Sequence, residues 1–344
     1  MISSMSNESA SVLIITGMHR SGTSLTASLL QSAGLHIGDR LLGPGPGNSK
    51  GHFENMDFFE FHKAVLRLHA IHPDGWTFQK SIDVDPAYEE LAKNLISRNA
   101  RDPVWGWKDP RTVLFLNFWK KLLPQANFIM VYRSPWNVID SLFRRGTDEL
   151  FYHQPDLAPK MWQHYNQTIL DFYNSHESHC MLVNSENIIE YPKEWIEAVN
   201  QKFDLQFIEP NFNLYDSSLL KNQGLNDHYS SLIKHYFPEV FALHENIESN
   251  AWRPNGSIHD ATWHRQIIPL SDRTCAFQNW NNFRAQERNN LILEVELQQM
   301  KEQQTNLEKE LESRQNELEE IRKELYKTKE ALHKLESQNA LMQN

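Results

Sequence analysis

Cysteine is scarce: Cys180 and Cys275 are the only two in 344 residues. Two thiols cannot build a disulfide framework, and these two lack metal-ligand spacing, so no metal site is expected and a reducing, cytoplasmic setting is. Positive charge is also in deficit; a formal balance of −10 argues against nucleic acid as a partner. No run approaches the ~20 apolar residues of a membrane span. Met1 to Ser11 has neither the basic nor the apolar region of a signal peptide. The histidines are scattered; His62, His69 and His72 have no Cys or carboxylate set beside them and read as core or surface residues. Proline stops at Pro269 and glycine at Gly256, so the end of the chain lacks both residues that punctuate loops.

What is present begins with Val12 to Thr16, a buried-strand pattern running into Gly17-Met18-His19-Arg20-Ser21-Gly22-Thr23-Ser24 and then an apolar helix, Leu25 to Leu30. Glycines framing such a loop let consecutive N–H groups and a helix N-terminus point at one anion. The nucleoside-triphosphate version of the loop carries Lys after its second glycine. Here that residue is Thr23, and the cation stands earlier, at Arg20. The pattern suits a phosphate or sulfate donor that needs no metal, and points away from an ordinary ATPase. A tight structural turn is the other reading.

Asn127 to Tyr132 is a second short apolar run, read as a buried strand with Arg133 at its carboxyl end. Ser134-Pro135 reads as an N-cap and first helical residue, with Val138, Ile139 and Leu142 as the apolar stripe. Ser141 falls roughly 10 Å along that helix, within reach of an anion held by Arg133. The plainer reading pairs Arg133 with a surface acid and Ser141 with its own backbone. Lys108 follows a strand over Pro103 to Trp107, and open α/β sheets bind ligands outside the carboxyl ends of their strands. Trp105 and Trp107 read as core, and Asp109 as an ion-pair partner rather than a metal ligand. The Gly/Pro-rich stretch Gly43 to Asn55 is a loop carrying His52 and Glu54 close to the first motif.

On these residues the chain resembles the sulfotransferases that use 3′-phosphoadenosine 5′-phosphosulfate (PAPS), above all the bacterial branch whose donor loop reads RSGTS, here Arg20 to Ser24. The resemblance covers about residues 10 to 205. It implies that Gly17, Arg20, Ser21, Gly22, Thr23 and Ser24 surround the 5′-phosphosulfate. It implies that Arg133 and Ser141, eight residues apart after a strand, fix the 3′-phosphate. It assigns Lys108, in a Lys-Asp-Pro-Arg segment, to the transferring sulfate or the acceptor, with Arg111 in support. In related bacterial and protein-tyrosine sulfotransferases a Glu downstream of the donor helix is the base, which makes Glu54 the first candidate and His52 the second; Glu54 also reads as an acid placed ahead of the Asp57 to Leu68 helix. Cys180 to Asn184, Ser185-Glu186 and a helix from Pro192 to Phe203 also resemble the family, with Ser185 as a cap. Trp252 to Gly256 stands where the family has a basic, glycine-containing donor loop, but its Arg-Lys-Gly pattern is missing, so Arg253 reads first as loop.

Strands near residues 12, 104, 128 and 181 with helices between them predict an α/β fold, a P-loop-type three-layer sandwich on a central parallel sheet, over residues 10–285. Residues 286–344 form a different material, carrying −4 of the net charge. From Leu297 to Met342, ten of fourteen positions spaced alternately by three and four are apolar, which predicts a long coiled-coil helix. Gln304, Arg314, Thr328 and Asn339 break the seam. A homo-oligomer is the favoured expectation, ahead of pairing with another protein or folding back.

The expected activity is sulfuryl transfer from PAPS to a hydroxyl acceptor, with a glycan or other carbohydrate preferred on family habit. The alternative is a P-loop kinase or nucleotide-binding scaffold whose coiled coil mediates assembly; the missing Lys after Gly22 and the Arg133/Ser141 spacing count against it.

Overall fold

The computed structural model describes residues 10–45, 51–146, 148–210, 226–254 and 273–342. In chain order its elements are β1 (Ser11–Thr16), α1 (Thr23–Ser32), α2 (Met56–Leu68), α3 (Pro86–Asn99), β2 (Val104–Lys108), a 3-10 segment (Pro110–Phe115), α4 (Leu116–Leu122), β3 (Asn127–Tyr132), α5 (Pro135–Arg145), α6 (Glu149–His153), α7 (Leu157–Ser175), β4 (Cys180–Asn184), α8 (Ser185–Glu190), α9 (Pro192–Phe203), α10 (Asn226–Tyr236), α11 (Pro238–Asn250) and α12 (Arg273–Met342). The chain divides into two compact units, Met1–Ala285 and Gln286–Asn344.

The first unit is built on a parallel sheet of order β2-β1-β3-β4. Strands covered on both faces must be apolar throughout, which is why they show as unbroken runs rather than alternating ones. Alternate residues feed two separate cores. Val12, Ile14, Phe128 and Met130 pack with Phe58 of α2, Ile139 of α5, Trp162 of α7 and Ile247 of α11. Leu13, Ile15, Ile129 and Val131 pack with Leu30 of α1, Ile188 of α8 and Trp195 of α9. Helices therefore lie on both faces, the three-layer α/β sandwich expected from the pattern. Trp105 and Trp107 are core residues; Phe58 stacks on Trp107 at 3.9 Å, with Trp119 edge-on to both. Such aromatic pairs add about 0.5–1.5 kcal/mol each beyond their buried area.

The sheet order sets where a ligand can sit. From β1 the chain proceeds to β2 on one side, and from β3 to β4 on the other, so the connections diverge between the carboxyl ends of β1 and β3. That divergence opens the crevice used by ligands in open α/β sheets. Gly17 brings the loop after β1 against β3: a Cβ there would lie 2.0 Å from the Val131 carbonyl oxygen, at a φ of 157°.

Several local features differ from the sequence reading. Helix α1 starts at Thr23, two residues early, and β2 runs through Lys108, which pairs with Ile15 inside the sheet. Ser185 is not a cap; Asn184 takes that place, accepting from the Glu186 amide at 2.9 Å, because Ser185 is turned inward against Gly22. Ser134 occupies the cap position of α5, but its buried hydroxyl makes no cap bond. Helices α10 and α11 occupy a region where the sequence pattern is weak.

The first turns of α12 belong to the first unit. There Phe277 and Trp280 join the larger core, and Arg284 and Trp280 both donate to Asp140 of α5. The second unit is the rest of that helix. Its seam residues Leu311, Leu318, Ile321 and Leu325 are all more than half exposed.

Candidate active site

The loop after β1 turns on two left-handed residues, Arg20 (φ 69°) and Gly22 (φ 93°). A Cβ on Gly22 would lie 2.7 Å from that of Ser185, so glycine is required there on both counts. Helix α1 then begins with no side-chain cap and no acid in its first turn. Its leading amides thus remain available to an anion, with the helix dipole behind them. The Ser21 hydroxyl is buried beside them without a hydrogen-bond partner.

The loop after β3 faces this one. Arg133 is buried, its backbone carbonyl accepting from Trp162 Nε1 at 3.0 Å, its Nε 3.9 Å from the Glu186 carboxylate. Arg20 Nε donates to Ser141 Oγ at 2.9 Å, a bond from the first motif to the second across 121 residues of chain. Burial pulls the Arg20 guanidinium down to about 10, and the charges of Arg145, Arg133 and Arg144 push the same way. Guanidinium groups near enough to act on one another in this way are unfavourable by themselves and favourable around a polyanion.

A third cluster lies at the end of β2. Lys108, 1% exposed, holds Glu54 Oε1 at 2.6 Å and Ser24 Oγ at 3.1 Å; Ser24 in turn donates to the His52 carbonyl at 3.0 Å. Glu54 Oε2 is buried without a hydrogen bond and lies 3.9 Å from His52 Nδ1. Burial lowers the His52 imidazole; Glu54 opposes this, and Lys108, Arg145 and Arg20 reinforce it, so the ring is neutral near pH 7. Glu54 reaches Lys108 because Phe53 is left-handed (φ 61°) and Asn55 takes the cap position of α2, accepting from the Asp57 amide. Glu54 therefore lies outside the helix instead of serving as an acid in its first turn.

Behind Lys108, Asp109 and Arg111 form an ion pair at 3.0 Å. Burial would raise the Asp109 carboxyl, but Arg111 and the His62 hydrogen bond outweigh it and hold it well below the usual range. His62 Nε2 accepts from Trp119, which assigns its proton to Nδ1, facing Asp109 at 2.9 Å. Arg111 also holds Asp74, whose carbonyl accepts from His19 Nε2 at 3.0 Å. Burial lowers His19 to about 3, so this imidazole in the loop after β1 is neutral. Among the described residues, no group of three His, Cys, Asp or Glu side chains could hold a metal ion.

All the residues singled out from the sequence, Gly17, Arg20 to Ser24, His52, Glu54, Lys108, Arg133 and Ser141, thus line the carboxyl ends of β1, β2 and β3. Arg253 does not join them by any bond; it pairs with Glu248 at 2.9 Å. Residues 46–50 and 255–256 of the two loops lie outside the described residues. Sequence reasoning missed Arg145, whose buried Nε has no hydrogen-bond partner. The signal was there: Arg145 is four residues after Ser141, on the same helical face. His19 and Asp74 were missed because their pairing is non-local.

Two strand tips thus converge on a cation-rich crevice with a carboxylate and an ammonium beside it, an arrangement suited to group transfer from an anionic donor. The profile of the Sulfotransferase family matches residues 13–209, and the chain belongs to that family, whose activity is the transfer of sulfo groups. Two curated relatives, from Caenorhabditis briggsae and Caenorhabditis elegans, are provisionally named protein-tyrosine sulfotransferases. Each is 31% identical over 103 residues, which is 29% of this chain and 36% and 39% of the relatives. The match thus spans little more than a third of their length. Among solved structures, a sulfotransferase domain of the Synechococcus PCC 7002 olefin synthase is 16% identical, with TM-score 0.38, covering 80% of this chain and 94% of that one. A Mycobacterium avium sulfotransferase is 12% identical, with TM-score 0.44, covering 71% and 78%.

Proposed function

We propose that the first unit transfers a sulfuryl group from PAPS to a hydroxyl acceptor. The observation that carries this reading is the bond from Arg20 Nε to Ser141 Oγ, with Arg133 close enough to depress Arg20, because it joins a 5′-type anion cradle to a second cationic pocket. A nucleotide with charge at both ends of its ribose fits two such pockets; one with a single phosphate chain fills only the first.

On this reading the amides of Gly17 to Ser24 hold the 5′-phosphate, and Arg133 with Ser141 holds the 3′-phosphate. Glu54 Oε2 takes the acceptor's proton while the acceptor oxygen attacks sulfur in line, with His52 as the second candidate base. Arg20 and Lys108 stabilise the bridging oxygen as its bond to sulfur breaks and 3′,5′-adenosine bisphosphate leaves. Positioning and charge stabilisation supply most of the acceleration, and the base contributes about 10²- to 10⁴-fold. Lys108 is bonded both to the base and to the donor loop through Ser24, so it couples donor binding to the reacting centre.

The acceptor class we put first is a carbohydrate hydroxyl. The test is transfer of labelled sulfate from PAPS to glycans and, in parallel, to tyrosyl peptides, the substrate that the nematode relatives' names carry. Transfer to either establishes the reaction and selects the acceptor; no transfer, with phosphate moved from ATP instead, overturns it in favour of a kinase. We further propose a cytoplasmic setting, consistent with a free, buried Cys180 whose thiol burial pushes up to about 12, and self-association of the second unit as a coiled coil with another copy.

A further inference from the structure

The charges flanking the seam of the second unit carry an orientation. With Leu297, Leu311, Leu318 and Leu325 at a positions and Leu307 and Ile321 at d, the g positions are Glu296, Gln303, Glu310, Glu317 and Glu324, and the e positions Lys301, Glu308, Gln315, Arg322 and Lys329. All are helical and exposed. The g row therefore contains no cation.

Resting on the self-association proposed above, we infer that residues 296–332 pair with the same segment of a second copy in parallel and in register. In that arrangement each g side chain lies beside the e side chain of the partner's next heptad. Glu296 then meets Lys301, Glu317 meets Arg322, and Glu324 meets Lys329, each contact occurring twice by symmetry. The remaining pairs, Gln303 with Glu308 and Glu310 with Gln315, join one charge to an amide, and no like-charge pair arises. In an antiparallel pair g faces g, so acid meets acid or amide along that whole flank and attraction is never possible. Every chain carries the complement of its own acidic row at a fixed offset, which is why the occupant is a second copy.

The polar interruptions do not oppose this. Arg314, at a d position, has its charge met by Glu317 of its own helix at 3.0 Å, and Gln304 donates to Glu308 at 2.9 Å. Homotypic contact at these layers therefore does not set two bare guanidinium groups against each other. Parallel pairing also brings the amino-terminal ends of the two helices together.

The experiment uses the full chain. Leu311→Cys is oxidised with oxidised glutathione, which takes up the two electrons and two protons; facing a-position Cα atoms in a parallel pair lie within disulfide reach. The expected result is a covalent dimer absent from the wild type, beside a wild-type dimer in sedimentation equilibrium. Glu296→Lys with Glu324→Lys should weaken association about tenfold or more, since four exposed contacts turn from attraction to repulsion. Adding Lys301→Glu and Lys329→Glu should restore it. A dimer that does not cross-link, or that tightens with the two lysines, overturns the orientation while leaving self-association standing. A wild-type chain that sediments as a monomer at tens of micromolar overturns both.

Discussion

Replacing Ser141 by alanine removes the oxygen that lies 2.9 Å from Arg20 Nε. A hydrogen bond to a charged group contributes about 1.5–3 kcal/mol, so the unliganded variant should lose roughly that much stability, read as a lower urea midpoint at unchanged slope. Accepting from Arg20 leaves the hydroxyl its own proton to give. If that proton goes to the donor's 3′-phosphate, another charge-assisted bond is lost on binding, and 3′,5′-adenosine bisphosphate should bind about 10- to 100-fold more weakly. The control ligand is 5′-AMP, identical except for the 3′-phosphate, and its affinity should hold within about twofold, well under 1 kcal/mol. Isothermal calorimetry at one fixed salt concentration measures both. Equal weakening of the two ligands would mean that Ser141 only positions Arg20, and no weakening of either would place the 3′-phosphate elsewhere; either result rules out a bond from Ser141 to that phosphate.

Glu54→Gln should lower kcat by about 10²- to 10⁴-fold with donor affinity unchanged, and His52→Gln by less than about tenfold; steady-state kinetics with PAPS decide, and the reverse order would make His52 the base. Gly17→Ala should cost roughly 3 kcal/mol or more, because its Cβ would meet the Val131 carbonyl at 2.0 Å, whereas Gly43→Ala, with nothing within 4 Å, should be nearly silent in the same thermal melts. His19 is held neutral, its pKa lowered by burial from 6.5 to about 3. Between those values the unfolded chain binds the extra proton, so this group's contribution is full above pH 6.5 and declines as pH falls, by about 1.4 kcal/mol per unit. His19→Gln should therefore flatten the acid side of the stability profile, measured by denaturant titration between pH 4 and 7; an unchanged slope would place the titration on another group.

How much of this was legible in the sequence depended on how local each feature is. The four strands could be read because a parallel strand covered on both faces is an uninterrupted apolar run, and the loop from Gly17 to Ser24 because its glycines and hydroxyls stand close together in the chain. Arg133 and Ser141 stood out because a strand tip leads straight into the next helix, whereas the bond that Ser141 accepts comes from Arg20, which no local spacing signals. What failed was decided by tertiary context. Ser185 reads as a cap until Gly22 claims the space against it, and Ser134 until its hydroxyl is found buried without a cap bond. The placement of Glu54 could not be read because it turns on a left-handed Phe53, which no propensity anticipates. The pairing of His19 with residue 74 spans 55 positions, and nothing in either neighbourhood announces it.

The proposed function requires that one crevice grip a nucleotide at both of its phosphate ends, through the amides after β1 and the guanidinium and hydroxyl groups after β3. It is tested most directly by thermal denaturation of the full chain with 3′,5′-adenosine bisphosphate and, separately, with ATP and magnesium. Tm should rise with the concentration of the bisphosphate and little or not at all with ATP. A larger rise with ATP and magnesium would contradict it.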